Sequence, residues 1–337
     1  MNGAIRRFTP ISTMDMFEPY VPLKTEHGNR VFPVSDKSSD IISALSKMLT
    51  NAGVEACLNT SVNDITKKED IFYILCNNNT AYQAYSVLIA TGGKSYSATG
   101  CTGDGYAWAK KFGHNIIDIK PALVPIIVKE NVKAIEGLSL KNVEVSIEIN
   151  NKIISKEFGE MLFTNNGVSG PIILTISSKI NRFDLSNAKL YIDFKPRLNE
   201  EKLNDKFLRE FVEFSKKNLS TYLKTLLPTS LVPYFMEKCG LSDKKVSDLS
   251  KIDRNILIKG LKKFDLSVNL LDNIEKAIVT SGGVDLTQVS PKNFESKLVP
   301  NLYFAGEVLD IDALTGGFNL QIAFSSGFVV GDSVRLV

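Results

Sequence analysis

Histidine and cysteine are scarce: two histidines (His27, His114) and four cysteines (Cys57, Cys76, Cys101, Cys239) in 337 residues, with no CxxC pair. That excludes the ligand spacing of a structural zinc site and argues against a disulfide framework. A Ser-His-Asp or Cys-His hydrolase would have only two possible bases, neither beside a nucleophile elbow. Net charge is also nearly absent, because 40 Lys and Arg against 37 Asp and Glu leave +3. A field that weak implies no nucleic-acid or anionic-lipid partner without a local patch. No apolar run reaches the roughly 18 residues of a membrane span, and Arg6 and Arg7 near the start are followed by no signal-peptide core. The expected location is the cytoplasm.

What is present is an ordinary globular composition, 44% hydrophobic and 23% charged, in a chain long enough for about two domains. From Ser35, with Ser38 or Ser39 as cap, the apolar positions Ile41, Ile42, Ala44, Leu45, Met48, Leu49 and Ala52 predict a helix that Gly53 closes. Val54 to Thr60 reads as a strand, and Ile71 to Cys76, the Asn77-Asn78-Asn79 turn and Ala81 to Tyr85 as a hairpin. Ser86 to Ala90 is nearly all apolar and ends in Thr91-Gly92-Gly93, the pattern of a buried parallel strand opening into a ligand-binding turn. Asp104 to Phe112 predicts a short helix stopped by Gly113, with His114 placed to complement its dipole.

The prolines of Lys120-Pro-Ala-Leu-Val-Pro125 mark a crossover. Beyond it, residues 126–195 alternate apolar and polar side chains (Val143, Val145, Ile147, Ile149) and predict a small β domain, a barrel or a sandwich. Residues 200–262 are lysine-rich with helical period, Phe207, Phe211, Phe214, Leu219, Leu223 and Leu226 forming the inward stripe; the lysines read as a solvated face. Phe264 to Val268 could return to the β domain. Three segments result: 1–119, first part of an α/β domain; 120–277, the insert, with its helical part at about 200–262; and 278–337, the end of the α/β domain.

Residues 302–331 are the most informative. A strand ends in Gly306-Glu307, and a helix of small residues follows Gly316-Gly317. A carboxylate there can accept hydrogen bonds from sugar hydroxyls, the glycines allow close approach, and the helix N-terminus near Asn319 offers free N–H groups to an electron-rich ring. Spacing alone leaves a plain turn and a core helix equally open.

The string NLYFAGEVLDIDALTGGFNLQIAFSSGFVVG at 301–331 closely resembles the carboxyl-terminal signature of the HI-0933-like, or YhiN-type, bacterial flavoproteins. VPLKTE at 21–26, GNRVFPVSDK at 28–37, ATGGKS at 90–95, TGDGY at 102–106, KPALVP at 120–125, GLSLKNV at 137–143, GEMLFT at 159–164, GVSGP at 167–171 and TSGGV at 280–284 agree in order. The resemblance implies a glutathione-reductase-like, Rossmann-type FAD/NAD(P)-binding domain, discontinuous and interrupted by a β-barrel with a helical part. It implies FAD as cofactor, NAD(P)H as reductant, hydride transfer through flavin N5 and a small organic substrate. Val62 would lie by the adenine and Ala90, Thr91, Gly92 and Gly93 along the dinucleotide. Glu307 would face the ribityl chain and Asn319, Leu320, Gln321 and Ile322 the flavin ring, with Gly306, Gly316 and Gly317 letting the cofactor approach the backbone.

Family members open on a strand, GxGxxG and a helix, and this sequence contains no GxGxxG. Two expectations stand equally: a truncated amino terminus with weakened FAD binding, an N-terminal fragment or a second copy completing the site, or a start at an internal methionine of a full flavoenzyme. No catalytic residue is selected. Arg30 and Tyr96 are the candidates for substrate contact, Lys94 and Ser95 for the cofactor, and no metal is implied. The alternatives are a flavin-free binding or regulatory chain and a flavin-dependent RNA-modifying protein.

Overall fold

The computed structural model describes residues 1–78 and 80–334; Asn79 of the expected turn lies outside them. The chain divides into two compact units, residues 1–120 with 279–337 and residues 121–278.

The first unit begins with helices α1 (Asn2–Arg7) and α2 (Pro10–Phe17), the hairpin β1 (Leu23–Glu26) and β2 (Arg30–Pro33), and helix α3 (Ser38–Asn51). Thr9 and Ser12 form a reciprocal capping box at α2, with Pro10 in its first turn, where a missing N–H costs nothing. Strands β3 (Val62–Lys68), β4 (Ile71–Cys76) and β5 (Ala81–Ala84) make an antiparallel meander, followed by β6 (Val87–Ile89), helix α4 (Asp104–Lys111) and β7 (Ile116–Ala122).

Residues 54–60 form no strand. They carry apolar side chains but find no sheet edge: Asn59 is left-handed at φ 55° and Leu58 is 82% exposed. His114 also departs from expectation. Its ring is buried, bonded through Nε2 to Ser296 Oγ at 2.8 Å and packed edge-on against Phe304, away from the carbonyls that end α4.

The second unit holds β8 (Ile126–Val128), β9 (Ser139–Ile149), β10 (Lys152–Phe163), β11 (Gly167–Ser169), helix α5 (Pro171–Ile180) and β12 (Lys189–Asp193). Helices α6 (Glu200–Glu213), α7 (Leu219–Leu223), α8 (Leu231–Cys239) and α9 (Lys251–Lys262) follow, and β13 (Phe264–Leu271) returns to the sheet. Six strands close in the order β10-β11-β8-β13-β12-β9, so of the two expected architectures the barrel forms. Val143, Val145, Ile147 and Ile149 of β9 point inward, and the aromatic stripe of α6 and α7 joins the same core, where Tyr222 meets Phe207, Phe211 and Phe214.

The chain then rejoins the first unit through β14 (Val279–Val284), which pairs with β7, then β15 (Leu302–Phe304) and helix α10 (Phe318–Ser333). Strands β6 and β15 run parallel, Val87 opposite Leu302 and Ile89 opposite Phe304. β15 is fully buried, but β6 is not the fully buried strand that its composition suggests, since Leu88 is 42% exposed. Among the described residues no helix is long and apolar enough to cross a membrane.

Candidate functional site

The parallel pair carries its sequence signals to one place. β6 ends in Ala90-Thr91-Gly92-Gly93 and β15 in Ala305-Gly306-Glu307, so both turns lie at the carboxyl ends of parallel strands, where open α/β sheets bind ligands. Thr280, at the start of β14, ties them together. Its N–H donates to Glu307 Oε1 at 2.8 Å, and its Oγ1 accepts the N–H groups of Lys94 (2.8 Å) and Ser95 (3.1 Å). Ser95 Oγ reaches the same Glu307 oxygen at 3.4 Å.

Gly93 sits inside this clasp. A Cβ there would collide with Thr280 Oγ1 and Glu307 Oε1, so the glycine is required by space. Gly92 (φ 74°) and Gly306 (φ 73°) supply the left-handed conformations of the two turns. Sequence reasoning misses Thr280, although the Gly282-Gly283 pair that follows it marks the segment.

Gly105 is a packing residue. Its Cβ would meet Thr91 Oγ1, Ile89 and Val308, which brings the start of α4 against the end of β6. Thr91 Oγ1 and the Tyr106 hydroxyl are buried here with no hydrogen-bond partner among the described residues. Burial, then the Glu307 carboxylate, raises the Tyr106 pKa, so this phenol remains a protonated donor.

At α10, Gly316 and Gly317 are left-handed, and no side chain caps the helix. Among the described residues, the N–H groups of Phe318, Asn319 and Leu320 meet no protein acceptor. The Asn319 side chain accepts from the Ala313 N–H and donates to the Ala313 carbonyl, both at 2.8 Å, fixing the loop in front of the helix. Gln321 is committed elsewhere: it donates to the Phe8 carbonyl (3.1 Å) and to Ser325 Oγ (3.0 Å), and accepts from Thr13 (3.0 Å). Ile322 is buried, whereas Leu314, Phe318 and Leu320 form an exposed apolar margin.

The remaining candidates make no hydrogen bond within the clasp among the described residues. Val62 is half-buried in β3 opposite Cys76, and Ala90 is exposed after β6. Arg30 lies on the exposed β1–β2 hairpin, donating to the His27 carbonyl at 3.2 Å with its guanidinium 5.9 Å from the Phe32 ring centroid. Tyr96 is exposed and left-handed at φ 52°.

The HI0933-like protein Rossmann domain family matches residues 1–333. This chain belongs to that family. Among HI0933-like relatives it is 31% identical to the ribosomal RNA dihydrouridine synthase of Haemophilus influenzae over 302 residues, 88% of this chain and 73% of that protein. It is 28% identical to the Escherichia coli protein of the same name, covering 97% of this chain and 79% of the relative. It is 26% identical to the 3-dehydro-bile acid delta(4,6)-reductase of Clostridium scindens, covering 98% of this chain and 81% of the relative.

The HI0933-like site meets the requirements of a flavin at one end. The clasped Glu307 turn, the open N–H groups of α10 and the apolar margin of Leu314, Phe318 and Leu320 suit a polar chain leading to a flat ring. The diphosphate has no counterpart motif. Gly103-Asp-Gly105 opens α4, with Gly103 at its N-cap, but Asp104 in the first turn presents a carboxylate, which repels an anion at the helix N-terminus.

Proposed function

We propose that this chain acts as a flavin-dependent oxidoreductase that takes reducing equivalents from NAD(P)H and saturates an activated carbon–carbon double bond in a carbonyl-bearing organic substrate. The observation that carries the reading is the Glu307–Thr280–Gly93 clasp at the carboxyl ends of a parallel pair, joined by the uncapped start of α10. Two of the relatives' names support the reaction class. A delta(4,6)-reductase and a dihydrouridine synthase both name the addition of two hydrogens across a ring double bond.

A bound flavin would supply the hydride chemistry. Glu307 holds the 92–95 turn through Thr280, so the ligand-facing backbone is fixed before anything binds. The N–H groups of Phe318, Asn319 and Leu320, backed by the dipole of a 16-residue helix, stabilise negative charge on a ring edge brought against them. Leu314, Phe318 and Leu320 exclude water from that edge. With no GxGxxG in the chain, the reading has the diphosphate contact supplied by a second copy of the same chain.

The test is a visible spectrum of the purified chain before and after adding FAD, followed by anaerobic NADH or NADPH. Bound flavin that bleaches with a nicotinamide donor supports the proposal. A folded chain that retains no flavin even on addition overturns it, in favour of a flavin-free binding chain.

A further inference from the structure

The first turn of α10 has little burial of its own. It has no side-chain cap, and two of its side chains, Phe318 and Leu320, are exposed and apolar. An uncapped turn of this kind frays unless something outside the helix holds it, and fraying would scatter its open N–H groups. Asn319 anchors the turn on one side, to both backbone groups of Ala313. On the other side stands Gln321, whose N–H donates to the Gly317 carbonyl at 3.0 Å and so opens the hydrogen-bonded part of the helix.

The Gln321 amide faces helices α1 and α2. The Phe8 carbonyl can only accept, so the amide atom 3.1 Å from it is Nε2, and Oε1 faces Thr13. Thr13 Oγ1 therefore donates to Gln321, at 3.0 Å, with a longer contact to the Thr9 carbonyl at 3.2 Å. Ser325, fully buried one turn on, accepts from the same amide at 3.0 Å and donates to Phe8 at 2.8 Å. Both amide protons and the amide oxygen of Gln321 are engaged within the protein, so this side chain holds the turn and does not reach a ligand. The anchoring helices are themselves fixed farther along α10. Arg7 pairs with Asp332 at 2.5 Å, Phe8 stacks on Phe328 with ring centroids 4.6 Å apart, and Phe17 meets Phe324 edge-on at 5.5 Å.

We infer that Thr13 is a positioning residue: through Gln321 it fixes the donor turn of α10, so that α1 and α2 set how firmly that turn stabilises an electron-rich ring. A reduced flavin carries more negative charge on its pyrimidine edge than an oxidised one. A fixed turn therefore favours the reduced state, and a loosened turn loses part of that preference. The part concerning the ring rests on the flavin reading above; the part concerning the turn does not.

The experiment compares the full chain with three variants. Thr13→Val deletes the hydroxyl at nearly constant shape, Thr13→Ser keeps it, and Thr50→Val deletes a hydroxyl that bonds back within α3, to the Ser46 carbonyl at 3.0 Å. Amide hydrogen exchange by mass spectrometry, without added ligand, reads residues 321–324, the first hydrogen-bonded positions of α10, against strand β9 as an internal reference. Thr13→Val should speed exchange at 321–324 at least fivefold and leave β9 unchanged, while Thr13→Ser and Thr50→Val should match the wild type. With FAD bound, the ratio of affinities for reduced over oxidised flavin, read from the midpoint potential, should fall at least threefold in Thr13→Val alone. The assignment is overturned if exchange at 321–324 is unchanged in Thr13→Val, if Thr13→Ser fails to restore it, if Thr50→Val matches Thr13→Val, or if exchange rises while the affinity ratio stays at the wild-type value. Should no form bind FAD, the oxidoreductase reading fails, and the exchange comparison alone decides the role of Thr13.

Discussion

At Gly93 one methyl group would be too many. Gly93→Ala forces Thr280 Oγ1 and Glu307 Oε1 apart and should cost about 1–3 kcal/mol by overpacking. Gly331→Ala, in α10 with nothing within 4 Å of the added carbon, should be neutral or up to about 1 kcal/mol stabilising. Paired urea melts of the two variants check both directions. His114 yields a pH prediction. Ser296 Oγ accepts the N–H groups of Leu298 (3.0 Å) and Val299 (2.9 Å), so its own proton points to His114 Nε2. Protonating that nitrogen would break the bond inside the core, and burial accordingly lowers the His114 pKa against a smaller opposing effect of Asp285. The unfolded chain therefore takes up the proton first. Stability should be level above the ordinary histidine pKa of about 6.5 and fall as pH drops below it. His114→Phe should be less stable at neutral pH, with a flatter profile between about pH 6.5 and 5, read from urea midpoints.

Among elements, the link between β12 and α6 depends on a lysine from α9. Lys262 Nζ donates to the carbonyls of Lys195 (3.0 Å) and Leu198 (2.5 Å) while pairing with Asp193, both charged side chains being mostly buried. Lys262→Met should cost about 2–4 kcal/mol, because it strands a carboxylate and two carbonyls. Ser250→Ala, which removes one half of the α9 capping box, should cost only about 1 kcal/mol. Equilibrium denaturation of the two variants tests the order. Elements of this kind differed in how far the sequence disclosed them. Helix α3 and the aromatic stripe of α6 and α7 follow from periodicity, because a 3.6-residue repeat needs no knowledge of the partner. Residues 54–60 form no strand because a short, largely apolar run suits a strand only where a neighbouring edge is there to pair with it. Motif residues Gly93 and Glu307 stood out as candidates, but the commitments of Gln321 to Phe8 and of Asn319 to Ala313 depend on chain segments brought together only by folding.

For the molecule as a whole, the ends of the second unit are joined to each other. Ile278 N–H donates to the Leu123 carbonyl at 3.2 Å, Asp272 N–H to Pro125 at 2.9 Å, and the Asn181 amide to Pro121 at 3.2 Å. With a closed barrel and its own core, residues 121–278 meet the requirements of an independent folding unit. Expressed alone, this fragment should give a native-like circular dichroism spectrum and a cooperative melt. A broad, non-cooperative transition would show that the first unit is needed to hold it.

The register of β6 with β15 has a consequence in time. Val87 and Leu302 are roughly 215 residues apart, so at about 5–20 residues per second a ribosome needs about 10 to 40 s to deliver the second strand after the first. The barrel and its helices are complete within that interval. Newborn chains thus pass through a stage in which the inserted unit can already be folded, while the nucleotide-type sheet that hosts it still awaits its central partner.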